Sequence, residues 1–242
     1  MHDKMFEELD YRQTPLGELT LWKRKYLSLG GEDVYEVKLG DDYLMSSLFH
    51  EVEEALATEA LNLLDPQTKA DIVVGGLGLG YTAHAALQHA ATSSMIIIEM
   101  MSAVIEWHES GLVPLGKEIS EDHRTRYVCD DFFKLSQQPT TGFDPPCHGR
   151  RFHAILLDID HSPKHYLDQP NAFFYSQAGL SNLRQSLHDK GVFALWSNDP
   201  PEPDFIHRLE EVFPSVERRL IHFQNPLLGK ESSNTLYLAQ NG

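Results

Sequence analysis

Cysteine is scarce in this sequence. Its two thiols, Cys129 and Cys147, allow neither a disulfide framework nor a cysteine-rich zinc site. Cys129 falls in an expected strand and reads as a small buried hydrophobe, and Cys147 reads as a loop residue. Long apolar runs are also missing: none approaches the roughly 20 residues of a membrane-spanning helix. The leading residues Met1 to Glu8 are charged and lack the apolar centre of a signal peptide. The expectation is a cytoplasmic protein with no membrane partner. Internal repeats and low-complexity tracts are absent. Positive charge is in short supply, with 20 Lys and Arg against 36 Asp and Glu, a formal net charge of −16. Such a surface repels phosphate backbones, which argues against nucleic acid, and it concentrates cations. What is present is ordinary for a globular chain. At 242 residues, 41% hydrophobic and 23% charged, it suffices for one large α/β domain with a small appendage.

Residues 10–45 carry a β signature. Glu18–Lys23 alternates polar and apolar, and Asp33–Leu39 alternates again with one slip. Turn chemistry at Pro15-Leu16-Gly17, Gly30-Gly31 and Gly40-Asp41-Asp42 separates the segments. This predicts a small antiparallel meander over residues 1–47, ahead of a main domain over 48–242. From Leu48 to Leu64 the period turns helical. Val52, Ala55, Leu56, Ala60 and Leu63 share one face, and Glu59 is the acid that falls on it. Its two readings are a side chain reaching into a site and one bending out to water. Strands and helices then alternate. Strands are expected at Ile72–Val74, Met95–Glu99, Arg126–Cys129, Phe152–Leu157 and Gly191–Trp196. Helices are expected at Thr82–Ala91, Ser102–Leu112, Phe132–Leu135, Ser176–Leu187 and Glu202–Phe213. Gln137 to Arg150 reads as a Pro/Gly-rich loop. Glu217–Phe223 and Asn234–Ala239 close the chain as an antiparallel pair. The sum is an α/β fold: a seven-stranded, mostly parallel sheet with helices on both faces.

In such sheets ligands bind beyond the carboxyl ends of the strands, so those residues carry the functional reading. The first strand runs into Gly75-Gly76-Leu77-Gly78-Leu79-Gly80. Glycines let the backbone approach a ligand, and the helix that follows presents its positive end. The spacing Gly76-x-Gly78-x-Gly80 is not the dinucleotide fingerprint, and no phosphate-loop lysine follows. The second strand ends in Glu99, nineteen residues past Gly80, where an acid can accept bonds from both hydroxyls of a ribose. The third ends in Asp130-Asp131, where a carboxylate can accept from an adenine amino group. The fourth ends in Asp158-Ile159-Asp160-His161. One strand-terminal acid is commonplace. Three in succession beside a glycine turn point to adenosine with a small charged tail, as in S-adenosylmethionine or its decarboxylated form.

On these residues the chain resembles the spermidine synthase (polyamine aminopropyltransferase) branch of the class I S-adenosylmethionine-dependent methyltransferase fold, which is Rossmann-like. The meander, the glycine turn, Glu99, Asp131-Phe132-Phe133, Asp158, the pair His50-Glu51 and Ala172-Phe173-Phe174-Tyr175 carry the likeness. It implies that Glu99 binds ribose, Asp131 adenine, and Gly76, Gly78 and Gly80 the donor. It also implies that Asp158 faces an amine acceptor and that Met45-Ser46-Ser47 covers the donor. Two motifs depart from the family. Leu77, Gly78 and Leu79 replace Gly, Asp and Gly in the turn, nearer the generic methyltransferase form. His161 stands where the family has a second acid, with Asp160 one residue early. Both readings therefore stand: aminopropyl transfer from decarboxylated S-adenosylmethionine to a small-molecule amine, and methyl transfer from S-adenosylmethionine to a small molecule. Either needs a neutral nitrogen aimed at the sulfonium carbon. Asp158 is the candidate base, Asp160 its support, and Tyr81 and His161 candidates to assist. Trp196 is a candidate to line the acceptor pocket. Asp158, Asp160, His161 and His165 also admit a divalent ion, but thirteen scattered histidines dilute that signal, and no metal is expected. The meander's open edge and the resemblance together suggest a homodimer.

Overall fold

The computed structural model describes residues 5–27, 30–138, 140–227 and 229–242. Residues 1–4, which entered the signal-peptide reading, lie outside the described residues. Among the described residues four strands come first: β1 (Phe6–Thr14), β2 (Gly17–Lys25), β3 (Asp33–Leu39) and β4 (Asp42–Ser46). They pair antiparallel in sequence order. The slip in the β3 alternation coincides with a register shift between Val37 and Lys38. Around it Glu36 is buried and ion-paired to Arg24 at 2.6 Å. Leu19, Leu21 and Val37 join the same core as the main domain, so the meander is a layer laid over that core, not a unit with a core of its own.

The large sheet comprises β5 (Ala70–Gly75), β6 (Thr92–Ile98), β7 (Thr125–Val128), β8 (Phe152–Leu157), β9 (Leu187–Ser197), β10 (Ser215–Asn225) and β11 (Lys230–Gln240). Its order is β10-β11-β9-β8-β5-β6-β7. The strands from β5 to β9 pair parallel; β11 runs antiparallel to β9, and β10 to β11. The α-helices are α1 (Glu51–Leu61), α2 (Tyr81–Gln88), α3 (Ser102–Glu109), α4 (Gly116–Ser120), α5 (Phe132–Ser136), α6 (Gln177–Gln185) and α7 (Pro203–Val212). Alternate side chains of β5 explain why its run is apolar throughout. Ile72 and Val74 pack with α1, α2 and α3, while Val73 packs with Phe132, Leu180 and Phe205 on the other face. Among the described residues no helix is long and apolar enough to cross a membrane.

Two local expectations change, and one element is new. Strand β7 stops at Val128, and Cys129, one residue beyond it, is exposed. Glu59 neither enters a site nor turns to water; it meets Arg219 of β10. The five-residue α4 is too short to leave a helical period in sequence.

The sheet order reverses between β5 and β8: successive strands leave β5 toward β7 on one side and β8 toward β9 on the other. Chains diverging above that seam leave a crevice, the usual ligand position in open α/β sheets. Backbone bonds from Gly76 to Ile98 (2.9 Å), Glu99 to Val128 (3.1 Å) and Asp158 to Gly75 (2.8 Å) hold the strand ends around it.

Candidate active site

The floor of the crevice is the turn after β5. Gly76, Gly78 and Gly80 have φ of 92°, 51° and 94°, a region that costs an L-residue roughly 1–2 kcal/mol. Space is short as well. A Cβ on Gly78 would lie 2.5 Å from Met45 Sδ, and one on Gly80 2.8 Å from His108 Cε1. Leu77 and Leu79 are buried in the core shared with α1 to α3 and border the hollow above the turn. His108, fully buried, braces the turn: its Nε2 donates to the Gly78 carbonyl at 2.9 Å. Burial lowers its pKa to about 4, so the ring is neutral at neutral pH.

One hollow is lined by Gly76, Gly78, Gly80, Tyr81, Glu99, Asp131, Asp158, His161 and Trp196. Glu99 is buried at the end of β6. Its two carboxylate oxygens accept from the Leu77 N–H (3.1 Å) and the Met101 N–H (2.8 Å). Burial pushes its pKa up, and these backbone bonds oppose the rise. Asp131 caps α5, with Oδ1 accepting from Phe133 N (2.8 Å) and Lys134 N (3.3 Å). Asp158 accepts from the Thr82 hydroxyl at 2.9 Å. Burial raises its pKa, against the pull of that hydroxyl. Tyr81 stacks on His50 with centroids 4.5 Å apart, and burial pushes its hydroxyl up to about 12. The Trp196 indole N–H is buried and meets no acceptor among the described residues.

Asp160 stands apart from this group. It is fully buried and faces away from the hollow. Its carboxylate accepts from Leu167 N (2.7 Å), Asn171 Nδ2 (3.0 Å) and the Tyr175 hydroxyl (2.9 Å). Those bonds tie the end of β8 to the stretch from Leu167 to Tyr175 ahead of α6, so the expected support for Asp158 is instead an anchor of the loop that carries His161. His165 turns elsewhere, to Asp199 at 2.8 Å. The residues of the metal reading therefore diverge, and no cluster of three ligating side chains forms among the described residues.

Sequence reasoning passed over Glu53. This acid near the start of α1 lines the hollow beside Asp158. Burial and the Asp158 charge both raise its pKa. The signal was present: Leu56, Ala57 and Ala60, at i+3, i+4 and i+7 from Glu53, are all buried, which puts an acid at the head of an apolar stripe.

No family model matches the chain. A curated polyamine aminopropyltransferase of Pyrobaculum neutrophilum is 22% identical over 192 residues, covering 76% of this chain and 62% of that protein. The chain thus spans less than two thirds of that relative. A spermidine synthase solved with the transition-state analogue AdoDATO superposes with a TM-score of 0.73 at 18% identity, covering 97% of this chain and 74% of that one. The spermidine synthase of Thermotoga maritima gives 0.72 at 18% identity, covering 97% and 73%. Human methyltransferase-like protein 13, in complex with SAH, gives 0.54 at 17% identity, covering 79% and 80%. The chain resembles polyamine aminopropyltransferases in sequence and has the class I methyltransferase-like fold.

Proposed function

We propose that the chain is a spermidine synthase-like transferase that moves an aminopropyl group from decarboxylated S-adenosylmethionine to a small amine. The observation that carries this is the row Glu99, Asp131 and Asp158 around one hollow above a glycine turn. The residues suit the donor. Glu99 has oxygens for ribose hydroxyls, Asp131 keeps Oδ2 outside its capping bonds for an adenine amino group, and the turn offers bare backbone. Carboxylates are also what a cationic tail and a cationic acceptor require.

The reaction is an in-line displacement. The acceptor nitrogen, freed of one proton, attacks the carbon attached to the sulfonium. The new C–N bond forms as the C–S bond breaks, sulfur keeps the electron pair, and a neutral thioether leaves. The leaving group needs no stabilising charge, so the site's work is to hold the amine, take its proton and aim its lone pair. Asp158 is the proposed base: it lines the hollow, and its burial favours taking up a proton. Asp160 serves as a positioning residue for the His161 loop. Tyr81, His161 and Trp196 form the wall facing the acceptor.

A second reading, methyl transfer from S-adenosylmethionine, draws on Leu77 and Leu79, which give the turn its generic methyltransferase form. Incubating the protein with each sulfonium and a panel of amines, followed by mass spectrometry, separates the two. A gain of one aminopropyl group supports the first, and a gain of one methyl group the second. Tight nucleoside binding with no transfer from either donor refutes both.

A further inference from the structure

The hollow does not end at the acceptor wall. An adjoining cleft runs between β4, the start of α1 and the ends of β10 and β11. Six residues line both spaces: Leu44, Met45, Ser46, Glu53, His161 and Trp196. Among the described residues Glu53 is the one carboxylate at this junction. Asp158, Glu99, Asp131 and Asp168 line the hollow alone, and Glu51 and Glu231 the cleft alone. The Thr82 hydroxyl lies 2.9 Å from Asp158 Oδ2 and 3.3 Å from the Glu53 carbonyl, so it ties the first turn of α1 to the Asp158 carboxylate. No basic side chain is ion-paired with Glu53 among the described residues.

We propose that Glu53 and Asp158 act as one proton-holding pair that receives a cationic amine, Glu53 being the second acid of the acceptor site. This rests on the transferase reading above. Two carboxylates lining one hollow without a paired cation cannot both ionise at little cost, so the pair retains a proton near neutrality. An incoming ammonium supplies the missing positive charge between them. The ammonium displaces the shared proton to solvent, and nitrogen then gives one of its own protons to the pair, leaving one member a carboxylic acid and the other a carboxylate. The freed lone pair forms the C–N bond as the C–S bond breaks and sulfur keeps the electron pair. Asp160 cannot supply this second acid, being committed to Leu167, Asn171 and Tyr175. The titratable groups around Glu53 are His50, Glu51 and Glu54 on its own segment, Tyr81 on α2, Asp158 and His161 after β8, and Lys230 and Glu231 across the cleft. After Asp158, Glu51 and Glu54 add negative charge and strengthen proton retention. The acceptor class that fits is an amine that arrives protonated and is discharged between two acids.

The test is Glu53→Gln in the full chain, with two independent readouts. The first needs no turnover: urea unfolding from pH 5 to pH 9. Carboxyl groups whose folded pKa is raised contribute stability at low pH that is lost as pH rises through the folded values. Wild type should lose stability across this range, and Glu53→Gln should lose distinctly less. The second is steady-state transfer. The amine KM should rise about tenfold or more, the acid limb of kcat/KM should move to lower pH, and donor affinity should stay within twofold. Parallel stability curves overturn the pairing. Wild-type turnover with an unaltered amine KM and pH profile in the variant overturns the acceptor role while leaving the transferase reading intact. Absence of transfer by wild type from either sulfonium overturns the transferase reading and the acceptor role together, and the unfolding comparison still decides whether the two carboxylates share a proton.

Discussion

Thr82→Val removes the hydroxyl that contacts both the proposed base and, at 3.3 Å, the Glu53 carbonyl. The Thr82 hydroxyl donates to Asp158 Oδ2 at 2.9 Å and helps the ionised form against burial, which pushes the Asp158 pKa up. Valine keeps the branched shape and removes only the donor. A hydrogen bond to a charged group contributes roughly 1.5–3 kcal/mol. At about 1.4 kcal/mol per pKa unit, its loss raises the Asp158 pKa by roughly one to two units. A base that must be ionised to act is then protonated sooner as pH falls. The acid limb of kcat/KM should therefore move about one to two pH units toward alkaline, and the alkaline plateau should approach that of wild type. The shift is opposite in sign to that of Glu53→Gln, because one change removes a donor and the other removes a like charge. The assay is aminopropyl transfer at saturating donor, followed by mass spectrometry from pH 5 to pH 10. Superimposable profiles would refute Asp158 as the ionising group that limits the rate.

Other changes test separate parts of the site. Glu99→Ala should weaken binding of a 5′-thioadenosine nucleoside by about an order of magnitude or more, since it deletes a charge-assisted acceptor; calorimetry giving wild-type affinity would remove the ribose assignment. Asp160→Asn keeps shape but opposes donors at Leu167, Asn171 and Tyr175 with an amide; at roughly 1–3 kcal/mol per buried bond lost, urea unfolding should show a loss of about 2 kcal/mol or more, with nucleoside affinity nearly unchanged. His108 is buried with its pKa lowered to about 4, so its contribution is present above the ordinary value near 6.5 and is lost as pH falls toward 4. Wild type should thus lose about 3 kcal/mol from this group over that window. Urea unfolding from pH 4 to pH 7 checks this against His108→Gln, in which that part of the acid slope should vanish; equal slopes in the two proteins would contradict it.

The parts legible in sequence are those set by short stretches of chain. A β-branched run, glycines and an alanine-rich helix specify strand, turn and helix within about twenty residues, and the acids at Glu99, Asp131 and Asp158 follow from knowing where each strand stops. Asp160 shows the limit. It sits two residues from Asp158 and looks equivalent to it, yet Leu167, Asn171 and Tyr175 claim it, a choice made by the fold of the loop that follows. Glu53 shows a different limit. Its place on the apolar stripe of α1 was readable, but its partner Asp158 is 105 residues away and meets it only because α1 crosses the mouth of the sheet. Cys129 was misplaced for a simpler reason, a strand end one residue short of expectation.

Met45 gives the meander a further consequence. Its thioether rests where a side chain on Gly78 would project, so roof and floor meet there. On the proposed donor reading, a nucleoside laid along the turn displaces this side chain. Methionine suits that position because three rotatable bonds let it swing aside while its strand stays paired. A β-branched residue there would turn the same strand into a fixed shutter. Thioether and turn thus form one packed contact, although more than thirty residues of sequence separate them.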